Sequence, residues 1–177
     1  MRAAAVRGTT FRGVPHIQTS IFFTRLLTAA GLSAVLGLER EYHQKAAGLR
    51  TNMMIGIGSA LFMAISLGFA GDPGGATDRI AAQIVTGIGF LGAGAILRSS
   101  HSVHGLTTAA TIWVNAAIGM AAGSGAYGAA VATTAVAIAV LVVLTPFEEF
   151  FRELARRRGV RPPPADEETS LSNHHID

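Results

Sequence analysis

The side chains able to do chemistry in this 177-residue chain gather at a few short segments. Glu39, Arg40, Glu41 and Arg50 fall within GLEREYHQKAAGLR, while Asp72, Asp78 and Arg79 surround a Pro-Gly-rich turn and Arg98 closes the apolar run that follows. Carboxylates beside arginines at this spacing form interfacial ion pairs. As oxygen donors they also offer a weak site for a hard cation such as Mg²⁺, which keeps most of its waters. Two amides, Gln83 and Asn115, stand inside apolar stretches. A polar side chain there either hydrogen-bonds a neighbouring helix or lines a path for a small solute. His101 and His104 have no acid beside them and read as solvated loop histidines, as do His174 and His175 near the end of the chain. The absence of cysteine removes thiolate metal sites and thiol catalysis. No nucleophile elbow, Walker loop or pair of intramembrane aspartates occurs, so no enzyme is expected.

These residues are positioned by long uncharged stretches. Charged side chains make up 14% of the chain and hydrophobic ones 50%, against about 25% charged in a typical soluble domain. The uncharged stretches are Ile21 to Leu38, Asn52 to Ala70, Ile80 to Leu97, Leu106 to Ala122 and Tyr127 to Thr145. Each is long enough to cross the roughly 30 Å hydrocarbon core of a bilayer, or nearly so. The expected fold is an all-α membrane protein, a bundle of five transmembrane helices over residues 20–145. The net charge of +3 is placed by membrane topology and predicts no nucleic-acid partner.

The third stretch carries Gly87, Gly89, Gly92 and Gly94. Their GxGxxG spacing lacks the preceding strand and the later acid of a dinucleotide-binding turn. Small residues let helices approach closely in lipid, and with glycines on two faces this helix is expected at the centre of the bundle. Further small or polar stripes fall at Thr24, Thr28 and Gly31; at Asn52, Gly56, Ser59 and Ser66; at Gln83, Gly87 and Gly94; and at Thr108, Thr111, Asn115 and Gly119. These stripes are expected to face one another. Arg25, near one end of the first span, is expected to snorkel.

An orientation with the N-terminus outside and the C-terminus in the cytoplasm puts nine Lys and Arg inside and four outside, with Arg25 left within a span. The positive-inside rule favours that arrangement. After Pro146, FEEFFRELARRR has apolar residues at helical spacing and Glu-Arg pairs four apart, so 146–158 is expected as an amphipathic helix on the cytoplasmic surface. Residues 1–19 and the Pro-rich tail 159–177 are expected to be disordered.

Four segments in order, GLEREYHQKAAGLRTNMMIGIGSALF (37–62), DRIAAQIVTGIGFLGAGAILR (78–98), VHGLTTAATIWVNAAIG (103–119) and GSGAY (123–127), closely resemble the transmembrane domain of the MgtC/SapB family. The resemblance implies a five-helix protein of the bacterial inner membrane, associated with growth in low magnesium and with virulence. Magnesium transport was the family's early label; modulation of other membrane machinery, including the rotary ATP synthase, is the leading alternative. Position by position, Glu39, Arg40, Glu41, Gly48, Arg50 and Thr51 match the family's first loop. Arg79, Gln83 and the four glycines match its central helix, and Gly105, Thr107, Thr108 and Trp113 its fourth. His104 stands where the family has Lys or Arg. The resemblance is to the transmembrane part alone, and the ACT-like domain that virulence-factor members carry after it is not expected in residues 146–177. The implied function is support of magnesium homeostasis or low-magnesium stress adaptation by modulating another membrane complex. The alternative is a Mg²⁺ transporter or channel with Glu39, Glu41 or Asp78 at a mouth and Gln83 and Asn115 inside. No cofactor is implied beyond Mg²⁺ as ligand or substrate. The expected partners are the lipid bilayer, a membrane complex and a further copy of the chain.

Overall fold

The computed structural model describes residues 19–68, 77–98 and 103–157. Five helices and one short hairpin follow in the order α1 (Thr19–Tyr42), α2 (Leu49–Gly68), α3 (Thr77–Gly94), β1 (Leu97–Arg98), β2 (Val103–His104), α4 (Leu106–Ser124) and α5 (Tyr127–Arg157). Stretches of α1, α2, α4 and α5 are long and apolar enough to cross a membrane, and the apolar part of α3, Arg79–Gly94, is shorter. The chain is an all-α, multi-pass membrane protein.

Glycine sets the two ends of α4. Gly125 follows its last turn at φ 87°, its N–H reaching the carbonyls of Ala121 and Ala122, a left-handed C-terminal closure that costs glycine little. Gly105 precedes α4 at φ 83° and packs where a Cβ would run into the Ala95 carbonyl. That close approach brings β2 antiparallel to β1, with Leu97 opposite His104 and Arg98 opposite Val103.

The middle of the bundle is the contact between α2 and α4. A Cβ on Gly119 would lie 2.5 Å from the Gly56 carbonyl, and one on Gly123 would strike Ala60. The two backbones therefore touch along a small-residue seam, where dispersion and close approach take over the role that hydrophobicity plays in water. α1 packs on α2 and α4, and α5 on α4 and α1. Ala29, Leu36, Ala60, Ile118, Ala122 and Ala130 close this side of the core. On the other side Ile84 and Ile88 of α3 pack with Ile55, Ile112 and Ala116.

Several expectations change. α3 is peripheral: its main neighbours are α2 and α4, and it meets them through Ile84, Ile88 and Gly92. A Cβ on Gly87, Gly89 or Gly94 would meet nothing within 4 Å, whereas one on Gly92 would come within 3.6 Å of the Ala109 carbonyl. Branched isoleucines thus fill the contact expected of glycines. α1 runs on to Tyr42, making Glu39, Arg40 and Glu41 its last turns and not a loop. Its packed stripe holds Ala29, Ser33, Leu36 and Arg40, all buried. The Thr24, Thr28 and Gly31 stripe lies round the opposite side, where Thr24 Oγ1 donates to the Ser20 carbonyl and Gly31 faces open space. α3 stops at Gly94, short of Leu97, which joins the hairpin. α5 continues through Pro146 in one 31-residue helix. Proline withdraws one N–H while keeping a helical φ, so the helix expected from 146 begins as an extension of α5.

Residues 1–18, 69–76, 99–102 and 158–177 lie outside the described residues, and with them the expected termini, the Asp72 turn, His101, His174 and His175. The side chains of Asp78 and Arg98, and most of those in the Phe147–Arg157 turns, are likewise outside what the structure describes.

Candidate functional site

One end of the bundle holds a buried polar cluster where α1 ends, α2 begins and α4 passes. It starts from the packed stripe of α1, whose period brings Arg40 inward to 5% exposure. Arg40 Nη1 lies 3.5 Å from Glu39 Oε2. Glu39 Oε1 lies 3.1 Å from His43 Nδ1 one turn on, a nitrogen also 2.9 Å from the Glu39 carbonyl. The carboxylate therefore has a basic side chain on each side.

The connection to α2 is tight. Gln44 and Ala47 adopt positive φ, 51° and 60°, and the Lys45 N–H donates to the Arg40 carbonyl at 2.9 Å. Glu41 reaches across this turn, its Oε2 accepting the Leu49 N–H at 2.9 Å. The acid thereby satisfies one of the unpaired amides at the start of α2 and complements the helix dipole. Asn52, fully buried, donates from Nδ2 to the Gly48 carbonyl at 3.0 Å and to that of Ala47. Asn115, also fully buried, donates from α4 to the Asn52 carbonyl at 2.7 Å. A chain of amide hydrogen bonds thus ties α4 to α2 and α2 to its own entry turn.

Five buried atoms around this network have no hydrogen-bond partner: Ser33 Oγ, Glu39 Oε2, Arg40 Nε, Asn52 Oδ1 and Asn115 Oδ1. Four are oxygens, which suit a water or a hard cation. Against a cation stands Arg40, whose guanidinium lies beside the Glu39 carboxylate. Among the described residues no group of three or more His, Asp or Glu side chains could hold a metal. The cluster can fix the helix ends and hold water; it does not form an acidic cage for Mg²⁺.

The structure brings Glu39, Arg40, Glu41 and Asn115 to this end together with Asn52. Arg50 is exposed on the first turn of α2; contrary to the expected ion pair with Glu39 or Glu41, Glu39 lies beside Arg40 and His43 and Glu41 caps Leu49. Arg79 and Gln83 are exposed on α3, where they line a groove of about 940 Å³ between α2 and α3. Asn115 does not line that groove, so the groove does not bring Gln83 and Asn115 together. Among the expected stripes, those of α2 and α4 are buried throughout, from Asn52 and Ser66 to Thr108, Thr111 and Gly119. Ser33 and His43 are additions that the sequence reading missed. Ser33 was legible from its four-residue spacing to Ala29 and Gly37; His43, in the turn just past α1, stands four residues after Glu39 and was legible from that spacing. Arg25 turns toward the α4–α5 junction, where a Cβ on Gly125 would lie 3.4 Å from its Nη2, and its buried Nε has no hydrogen-bond partner.

A family model described as the MgtC family matches residues 26–150. The chain is 49% identical over 136 residues to "Putative magnesium transporter YhiD" of Escherichia coli K12, covering 71% of this chain and 61% of that protein. It is 42% identical over 132 residues to "Protein MgtC" of Brucella suis biovar 1, covering 75% and 55%. It is also 42% identical over 147 residues to "Protein MgtC" of Salmonella typhi, covering 83% and 59%. The chain therefore spans a little over half the length of these relatives. No solved structure matches it.

Proposed function

The chain belongs to the MgtC family, and from that membership we propose that it supports magnesium homeostasis or low-magnesium stress adaptation without catalysis, by docking on and modulating another membrane complex. The observation that carries this reading is the α2–α4 seam, where Gly119 and Gly123 pack directly on the backbone of Gly56 and Ala60. Backbone against backbone leaves no room for a hydrated cation between the two central helices. Charged groups collect instead at the helix ends, with Glu39, Arg40 and Glu41 closing one of them. The outward faces of α3 and α5, with Phe90 and Val136 well exposed, supply apolar surface for a partner within the bilayer. The rotary ATP synthase is the partner class that the family resemblance suggests. The family resemblance suggests the bacterial inner membrane, and the count of Lys and Arg supports an orientation with the N-terminus outside and the C-terminus in the cytoplasm.

A photo-crosslinker placed at Phe90, in cells grown with low and with high magnesium, tests the docking. The same membrane protein should be captured in a magnesium-dependent amount; labelling of lipid alone at both levels would contradict the reading.

A second reading, a Mg²⁺ transporter, is favoured by the amide oxygens of Asn52 and Asn115, which have no hydrogen-bond partner, and by the name of YhiD. It requires that Asn52→Leu with Asn115→Leu abolish Mg²⁺ flux. Unchanged flux in that variant would remove it.

A further inference from the structure

The groove between α2 and α3 differs from the polar cluster in position and in chemistry. Met54, Ile55 and Phe62 of α2 form one wall, and Ile84, Ile88 and Leu91 of α3 the other. Met54 is 71% exposed, Phe62 54% and Leu91 51%, so the groove opens sideways, toward where lipid lies. Its width comes from Gly58 and Gly87, both lining it and both with nothing within 4 Å of a built Cβ. At one end, and exposed, is Arg79, with Gln83 one turn further in.

We propose that this groove is a site for one anionic phospholipid, its acyl chains lying between α2 and α3 and its phosphate held by Arg79 and Gln83. Charge and length both point to this occupant. Apolar walls that end in a guanidinium and an amide match a molecule that is apolar along its length and anionic at one end. From Arg79 to Leu91 α3 rises about 18 Å at 1.5 Å per residue. A bilayer is about 40–45 Å thick with its headgroups, so this is close to the distance from a phosphate layer to the midplane. The groove thus has the length of one leaflet, whereas a transmembrane helix from another chain would need contact across both. Asp78 precedes Arg79 by one position, 100° round the helix, at the start of α3 where a negative charge suits the dipole.

The test uses the full chain purified in mild detergent and incubated with phosphatidylglycerol or phosphatidylcholine of identical acyl chains, with retained lipid counted by native mass spectrometry. Phosphatidylglycerol should be retained about fivefold over phosphatidylcholine, the preference that one basic side chain confers at an anionic surface. Arg79→Gln should erase the preference and Arg79→Lys should keep it. Gly58→Leu with Gly87→Leu, which fills open space, should lower retention of both lipids while the thermal midpoint holds. Equal retention of the two lipids, or an unaltered preference in Arg79→Gln, would overturn the proposal. So would disulfide linkage of Gly87→Cys chains to a second copy in native membranes, since the chain has no other cysteine.

Discussion

Asn52 and Asn115 show what a single amide does inside a membrane bundle. Each is fully buried and each spends its N–H₂ on a backbone carbonyl, so neither is exposed to lipid at the cost of an unmet donor. Their removal should not be equal. Asn115→Leu gives up one interhelical hydrogen bond and also removes an unpartnered oxygen, so a cost of about 1 kcal/mol or less is expected. Asn52→Leu takes the side-chain donor from the Ala47 carbonyl of the α1–α2 turn, while the Gly48 carbonyl keeps the backbone N–H of residue 52, and should cost about 2 kcal/mol. Thermal unfolding in detergent measures both, and an equal or reversed order would contradict the network described. Glu41 makes a second case at the same end. Glu41→Ala should lower stability by about 1 kcal/mol through loss of the Leu49 cap, and Glu41→Gln, which keeps an acceptor, by less. That Asn115 faces inward was legible in the sequence, because a polar side chain midway along a membrane helix must find a partner; Asn52, on the first turn of α2, was legible only from the small-residue stripe it shares with Gly56, Ser59 and Ser66. The same reasoning failed for Gln83. It lies one turn from Arg79, at the end of α3 and beside an open groove, where headgroups and water are within reach.

The five helices were legible as uncharged runs, but not which of them stands at the centre. In water a helix shows its inward face by apolar residues against polar ones. In lipid both faces are apolar, so Ile84 and Ile88 reveal nothing about direction and a glycine marks only a potential close contact. α3 has the densest glycines, yet the seam is made by α2 and α4. Their Gly56, Gly119 and Gly123 are matched by a facing backbone or small side chain, whereas Gly89 and Gly94 have none. Alanine substitution separates the two kinds. Gly119→Ala should destabilise by about 1–3 kcal/mol, since the atom it would displace is backbone. Gly89→Ala should raise stability by up to about 1 kcal/mol, the helix-propensity gain of alanine over glycine. A destabilising Gly89→Ala, read from the thermal midpoint, would mean that α3 is covered by a neighbour this single chain does not supply. The ends of the helices were less legible, because Glu39-Arg40-Glu41 carries charge and reads as loop although it continues α1. Charge marks where the bilayer ends, which need not be where the helix ends.

Taken whole, the protein is a two-sided bundle. α1 and α5 close one flank of the α2–α4 seam, and α3 covers part of the other while leaving a lipid-sized groove. The Glu39–Arg40–Glu41 turn and Asn52 form a polar network where α1 meets α2, and the α2–α4 seam is packed with alanine, glycine and small polar side chains. A bundle of this kind supplies a rigid surface in the membrane more readily than a route across it, which is the claim on which the proposed role depends. The most direct measurement is Mg²⁺ entry into sealed liposomes containing the purified full chain, followed with an internal Mg²⁺ indicator under an imposed gradient. The account predicts entry at the rate of protein-free liposomes at every external concentration. Entry that rises and saturates with external Mg²⁺, and that falls in Asn52→Leu with Asn115→Leu, would contradict it.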